Sequence, residues 1–274
     1  MSEAFRGFVC TSAAIDAAVS DRAVLTHPYY QAFINGKLSR DKLAHFAREY
    51  AHHVWAFPRV VSAIHTNCPD ALGRRLLAKN LAEEEGLSEG AVSHADLWFR
   101  FAQRVGVDEA AVSSAPPSRA TQDLIDTFHA LATHSYALGL GALYAYENQL
   151  PQIAPSLQAA LRRHYDISDE ASLAFFQVHE HADLEHSDVC RELLDKLPRK
   201  ERAAAYAGAC TLADQLLAFL TGLGAESERA APSRSPPRSV NPQRAGFPRT
   251  AALPFANAQP RMGHPTAHIL LVAP

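Results

Sequence analysis

The sequence lacks the cysteine patterns that would tie a small fold together. Its 274 residues include four cysteines, and no two of them form a C-x-x-C motif. Four scattered cysteines without that motif argue against a disulfide framework or a zinc-thiolate site, so the thiols are predicted to be reduced. The four are Cys10, Cys68, Cys190 and Cys210.

Excess positive charge and long apolar runs are also missing. The formal net charge is -3, and no basic stripe is evident before residue 226, so we expect no nucleic-acid partner. No apolar run approaches the ~18 residues that span a bilayer. The N-terminal stretch lacks the basic and apolar segments of a signal peptide. The sequence therefore predicts a cytoplasmic protein with no membrane partner.

Acidic residues and lysine are absent from the end of the chain. Residues 231–274 contain no Asp, Glu or Lys, but they contain nine prolines and five arginines. Such a composition buries too little apolar surface to offset the entropy of ordering the chain. We predict a folded domain over residues 1–225 and a disordered tail over residues 226–274.

Sustained alternation of apolar and polar residues is lacking too, so strands are not expected. The domain is instead predicted to be all-α, with seven or eight helices in a bundle. The predicted helices cover residues 11–21, 28–34, 40–66 with a kink at Pro58, 70–85, 94–105, 120–150 with a possible break at 134–135, 158–165, 169–197 and 199–223.

The stretch HEHADLEH carries the most informative pattern of polar residues. On a helix, positions i, i+4 and i+7 fall within an arc of roughly 60°. His179, Asp183 and His186 therefore form one stripe of two imidazoles and a carboxylate. A polar helix face containing an Asp–His pair would give the same pattern, so the stripe alone leaves metal binding open.

Further carboxylates and a histidine support a metal site. Glu147 ends an otherwise apolar helix, where a buried carboxylate is costly unless it is paired or bound to a metal. Glu84 precedes the break at Gly86, and His94 opens the next predicted helix, so the two could converge. The alternative for Glu147, Glu84 and His94 is that each side chain lies exposed to solvent at the end of its helix. Oxygen and imidazole ligands without thiolate favour iron or manganese over structural zinc.

A ferritin-like site would need two Glu-x-x-His pairs, and the sequence contains one. Glu49 and His52 form this single pair. We therefore predict that both residues have a structural or supporting role.

Several longer runs resemble a known family. The runs HPYYQAF, FPRVVSAIHTNC, NLAEEEG, SHADLW, ALYAYENQLPQIA and HEHADLEHSDV are similar to the CADD family, named for the Chlamydia protein associating with death domains. The similarity covers residues 10–223. It implies a haem-oxygenase-like bundle within the group that includes the quinone-forming oxidase PqqC and the thiaminase-type TenA proteins.

The resemblance also implies a complete set of six metal ligands. Glu83 and Glu85 are alternative registers for the first of them. PqqC-type members work without metal and thiaminases need a nucleophilic cysteine, so a full ligand set separates this chain from both. The ligands carried over are Glu84, His94, Glu147, His179, Asp183 and His186.

The family's activity implies a role for tyrosines. Members linked to 4-aminobenzoate formation, a step towards folate, carry a tyrosine matching Tyr30 that is proposed to be consumed. Tyr146 and Tyr144 are further candidates for radical transfer or for lining the pocket, with core packing the stronger reading for Tyr144. Two departures put the self-sacrificing reaction in doubt: Phe46 replaces a second tyrosine, and no lysine follows ENQLP.

The resemblance thus predicts an iron-dependent oxidoreductase with two Fe ions, or Fe and Mn, that uses O2 and an external reductant. Its substrate would be a small molecule or its own Tyr30, and a homodimer is compatible with such bundles. Three alternatives remain open. They are a cofactor-free PqqC-like oxidase, a non-enzymatic interaction protein, and a haem-degrading enzyme with His27 as its axial ligand.

Overall fold

The computed structural model describes residues 11–229, apart from the side chains of residues 181 and 227–229. Every regular element in this part of the chain is helical, which confirms the all-α class. The elements are α1 (Thr11–Ser20), a 3-10 turn (Val24–Thr26), α2 (Pro28–Ile34), α3 (Arg40–Asn67), α4 (Ala71–Glu84), α5 (His94–Arg104), α6 (Glu109–Ser114), α7 (Arg119–His134), α8 (Tyr136–Glu147), α9 (Leu150–His164), α10 (Glu170–Asp195) and α11 (Arg199–Arg229).

Polar side chains fix where several helices begin. Ser39 and Ser93 cap α3 and α5, since each hydroxyl oxygen accepts a hydrogen bond from the backbone amide three residues later. Ser135 has an extended backbone that ends α7, and its hydroxyl caps α8. The long apolar segment over residues 120–150 is therefore divided at the predicted break.

The structure divides the chain more finely than the sequence suggested. The short helix α6 lies in a stretch with no predicted element. Helix α9 begins at Leu150 rather than at residue 158, because Pro151 occupies its first turn, where a missing amide hydrogen costs nothing. Helix α11 continues past residue 223 to Arg229. The predicted tail beyond it lies outside the described residues and stays a prediction.

Every residue of α8 except Leu138 is buried, and the helix packs closely against α11. A Cβ atom on Gly141 would overlap the carbonyl of Ala205, and one on Gly208 would overlap the carbonyl of Leu138. By length and composition α11 could cross a membrane. Its contacts with α8 and α7 instead make it a core helix of the bundle.

Helix α10 lies against α4, α5, α8 and α9. Those contacts bring one face of α10 towards the ends of α4 and α8 and the start of α5. The predicted ligands lie on these four helices.

Candidate metal centre

Six buried side chains form two clusters of three, and they are the six residues that the sequence nominated. Within each cluster the potential ligand atoms lie within 4.8 Å of one another. Every one of the six residues is at most 5% exposed. We call Glu84, His94 and His179 the first triad, and Glu147, Asp183 and His186 the second triad.

The turn between α4 and α5 builds half of the first triad. Gly86 has a φ of +66°, and a Cβ there would overlap the backbone of Ser93, so only glycine fits. This turn leaves Oε2 of Glu84 2.9 Å from Nδ1 of His94. Burial acts to raise the pKa of Glu84, but His94 and the neighbouring imidazoles outweigh it and hold that pKa below its usual value.

His179 completes the first triad from α10. Its Nδ1 donates a hydrogen bond to the Phe175 carbonyl at 2.7 Å, because that oxygen can only accept. The opposite nitrogen, Nε2, is therefore left with a lone pair. The ring packs on Phe175 with centroids 4.1 Å apart and lies 4.5 Å from the ring of His94. Burial lowers the pKa of His179, and Asp183 offsets only part of this effect.

In the second triad, His186 makes its supporting hydrogen bond through Nε2, whereas His179 uses Nδ1. Its Nε2 donates to the Glu83 carboxylate at 2.6 Å. Its Nδ1 lies 3.6 Å from Oδ1 of Asp183 and 3.7 Å from Oε1 of Glu147. Burial disfavours the imidazolium, but Asp183, Glu147 and Glu83 outweigh it and raise the pKa of His186 to about 10.

Glu147 is held by two donors. Nδ2 of Asn80 donates to one carboxylate oxygen at 2.7 Å, and the Cys190 thiol donates to the other at 3.4 Å. Burial raises the pKa of Glu147 to about 7, in spite of the opposing influence of His186.

Nδ1 of His186 and Oδ2 of Asp183 are buried without a hydrogen-bond partner among the described residues. Nδ1 of His94 is also buried, and its one polar neighbour is the Glu84 carboxylate of the same triad, which lies close to it without the angles of a hydrogen bond. Buried polar atoms in native proteins are almost always paired. Imidazole nitrogens and carboxylate oxygens that converge in two buried groups can be satisfied by metal cations, which displace any proton held there, so the residues fit a two-metal centre.

The register at the first ligand follows from burial. Glu84 is 4% exposed and belongs to the first triad, whereas Glu85 is exposed. Glu83 is partly exposed and contacts His186 instead. Glu83 thus supports the second triad by orienting its imidazole.

A separate cavity of about 70 Å³ adjoins the first triad. Its lining is almost entirely apolar and reaches His179 at one point. Tyr30 also lines it, and the Tyr30 hydroxyl lies 3.1 Å from the Ile153 carbonyl and 2.8 Å from the Ser156 hydroxyl. Burial raises the pKa of Tyr30 above its ordinary value, so the phenol is protonated.

Tyr146 also lines this cavity, and its hydroxyl lies 2.5 Å from that of Tyr50. The sequence interpretation missed Tyr50. An aromatic stripe on α3 that includes Phe46 and Tyr50, one turn apart, was the available signal. Tyr144 does not line the cavity, since its hydroxyl donates to Asp16 at 2.6 Å.

Two other nominated residues lie elsewhere. The Glu49 carboxylate accepts hydrogen bonds from the Ser118 amide at 2.8 Å and the Thr121 hydroxyl at 2.7 Å, so it anchors the start of α7. His27 caps α2 through Nδ1, and its Nε2 lies 3.0 Å from the Thr221 hydroxyl. Both nitrogens of His27 are engaged, which speaks against an axial haem ligand.

Comparison with known proteins identifies the chain's relatives. The profile of the family described as iron-containing redox enzyme matches residues 44–217. The 4-aminobenzoate synthase of Chlamydia pneumoniae is 36% identical over 209 residues, which cover 76% of this chain and 92% of that protein. The 4-aminobenzoate synthase of Nitrosomonas europaea is 35% identical over 224 residues, covering 76% of this chain and 89% of that protein.

A solved structure shares the fold. A CADD-like protein of unknown function from Nostoc punctiforme aligns with a TM-score of 0.66 and 19% identity, over 81% of this chain and 97% of that one. The family resemblance read from the sequence is therefore confirmed. The chain belongs to the haem-oxygenase-like family of iron-containing redox enzymes.

Proposed function

We propose that this chain is a non-haem oxidase that holds two iron ions, or one iron and one manganese, in the two triads and reacts there with O2. The observation that carries the proposal is the pair of buried triads with unpartnered ligand atoms. A metal pair of this kind, when bound, supplies electrons to O2 and so provides the oxidant. Its partners would be O2, an external reductant, and either a small-molecule substrate or Tyr30 itself.

The donor set supports iron or manganese. Each triad offers carboxylate oxygen and imidazole nitrogen, which suit these ions, and neither triad contains a thiolate. Burial and the neighbouring Glu147 carboxylate raise the pKa of the Cys190 thiol well above its usual value. Cys190 therefore stays protonated and acts as a hydrogen-bond donor to Glu147.

The surrounding residues orient the proposed ligands. The Phe175 carbonyl fixes the tautomer of His179, and Glu83 fixes that of His186. Asn80 holds one oxygen of Glu147 in place. Such contacts orient ligands and tune their basicity, and their loss typically weakens metal binding about 10- to 100-fold.

We further propose that the product is 4-aminobenzoate and that Tyr30 supplies its ring. Relatives of this name cover most of the chain, and Tyr30 lines the same cavity as His179 and Tyr146. Hydrogen bonding at its hydroxyl holds the Tyr30 ring in one orientation. Tyr146 lines this cavity and directly precedes Glu147, so it is the residue that would link the Tyr30 ring to a metal held by the second triad.

Two departures from the family pattern bear on this reaction. Phe46 lines the cavity at the position where the resemblance implies a second tyrosine, and none of the described residues that line it is a lysine. On this proposal, the nitrogen of 4-aminobenzoate has to come from outside the cavity lining. The cytoplasmic location and the homodimer also stay predictions.

The test is metal binding and O2 reactivity measured together. Apo-protein is loaded anaerobically with Fe(II), metal per chain is counted, and absorbance is followed after exposure to air. We expect about two metals per chain for paired triads, and a transient absorbance that the Glu147→Ala variant loses. Mass spectrometry then determines whether residue 30 changes mass as 4-aminobenzoate appears.

A chain that binds no stoichiometric metal would contradict the proposal. Turnover that survives strict chelation would favour the cofactor-free oxidase instead, with the six polar residues serving as a substrate pocket.

A further inference from the structure

A second cavity, of about 50 Å³, lies between α4 and α10 on the side of the second triad. Asn80, His186 and Cys190 line its inner part. Lys79 and Glu185 also line it, and their side chains are 59% and 72% exposed, so they form its rim. This cavity, which we call the charged cavity after the two residues at its rim, lies between those exposed side chains and the second triad.

Carboxylates lie at the rim of this cavity and behind its inner lining. Glu185 lines the rim, and its side chain is 72% exposed. Glu83 and Glu147 do not line the cavity but contact residues that do, and their side chains are 28% and 1% exposed. Glu83 directly contacts His186 of the second triad. A cation that moves along this series meets a new carboxylate as it loses solvent, which offsets the cost of its dehydration.

An unpartnered acceptor lies inside the charged cavity. Oδ1 of Asn80 is buried and has no hydrogen-bond partner in the part of the chain that the structure describes, while its amide nitrogen donates to Glu147. Amide oxygens are ligands of hard divalent cations. Asn80 therefore offers an oxygen at the inner end of the charged cavity, directly before the second triad.

Lys79 covers the outer end. Its ammonium nitrogen lies 3.0 Å from Glu185 and 3.5 Å from Glu83, so it pairs with the two outermost carboxylates at once. Ion pairs this exposed are weak and open readily. The lining of the apolar cavity at Tyr30 includes neither a carboxylate nor a lysine among the described residues.

We propose that the charged cavity is the route by which a hydrated divalent metal cation reaches the second triad, and that the ion pairs of Lys79 with Glu185 and Glu83 slow its entry. The inference rests on the proposed metal centre and goes beyond it, because it separates the path of the metal from the apolar cavity of the organic substrate. The ammonium of Lys79 opposes entry twice, by occupying the carboxylates and by repelling the incoming ion.

The experiment follows loading of the second triad alone. Full-length protein carrying His179→Ala is mixed anaerobically with Fe(II), quenched with a chelator at intervals, and assayed for bound iron. Lys79→Met should load roughly three- to tenfold faster, because it removes the repelling charge at the mouth. Lys196→Met is the matched control. Lys196 pairs with Glu192, four residues earlier in the chain, and does not line the charged cavity.

A second variant tests the path by blocking it. Val189 lines the charged cavity, and Val189→Trp should slow loading by a similar factor while circular dichroism shows an intact fold. Equal loading rates for the Lys79, Val189 and Lys196 variants, with iron still bound, would overturn the route and leave the metal centre standing. Absence of bound iron from every variant and from the unsubstituted protein would overturn the proposed function itself.

Discussion

Glu147 and His186 hold protons that an incoming cation has to displace. The pKa of Glu147 is raised to about 7 and that of His186 to about 10. The pKa values of Glu84 and His179 are lowered instead. At neutral pH His186 is therefore protonated and Glu147 partly so, whereas Glu84 and His179 are already in their metal-binding forms.

We expect the second triad to bind Fe(II) more tightly as pH rises from about 6 to about 8, because metal binding releases its protons. The affinity of the first triad should change much less. Anaerobic titrations at stepped pH measure both, with His179→Ala reporting the second triad and Glu147→Ala the first. Equal pH dependence in the two variants would contradict the assignment.

Replacing His179 separates its chemical role from its structural role. His179→Ala should abolish O2-dependent oxidation of the metal and lower the free energy of unfolding by about 1–3 kcal/mol, because a buried ring packed on Phe175 is lost. Stopped-flow absorbance and thermal melts measure the two effects. The exposed His134 gives a control, His134→Ala, that should change neither. Normal O2-dependent metal oxidation in His179→Ala would show that His179 is not a ligand of the metal centre.

At the residue scale, the sequence could nominate ligands but not the groups that support them. The 3.6-residue repeat places His179, Asp183 and His186 on one stripe, and this holds for any straight helix. Tyr50 contacts Tyr146, and Asn80 contacts Glu147, each across an interface between two helices. No spacing within one helix encodes such contacts, so these supporting residues became visible only in the fold.

Among the elements, the turn after α4 sets the geometry of the first triad. Gly86→Ala would both strain a left-handed backbone and force the Cβ into Ser93. We expect this variant to bind about one metal per chain, since Glu84 and His94 are pushed apart while the second triad is untouched. Metal analysis after anaerobic loading measures this loss.

Gly90 is the matched control in the same loop. It also has a positive φ, of +75°, but nothing lies within 4 Å of a Cβ built on it. Gly90→Ala should therefore cost about 1–2 kcal/mol of backbone strain and leave both metals in place. Equal metal loss in the two variants would point to loop strain rather than to misplacement of the ligands.

Helix boundaries followed from the sequence where a side chain caps them. The hydroxyls at Ser39 and Ser93 mark true starts. Pro151 misled the prediction, because proline breaks a helix interior but fits a first turn, and only the packing of α9 decides between the two. The short α6 lacks a periodic pattern long enough to detect.

For the whole molecule, the triads join α4, α5, α8 and α10, so metal binding should stabilise the fold. A ligand that binds only the native state at 100 times its Kd adds about 2.7 kcal/mol per site. We expect Tm to rise with Fe(II) under anaerobic conditions. The double variant His179→Ala/His186→Ala lacks one ligand in each triad, and a comparable rise there would show that the metal acts elsewhere.

Both triads depend on α10, which follows the other ligand-bearing helices in the chain. A nascent polypeptide made only as far as α8 contains Glu84, His94 and Glu147, and therefore neither complete triad. Chains emerge from the ribosome at about 5–20 residues per second, and their N-terminal parts fold first. If the triads hold metal as proposed, the early helices would collapse without it, and metal insertion would be a late step that follows the synthesis of α10.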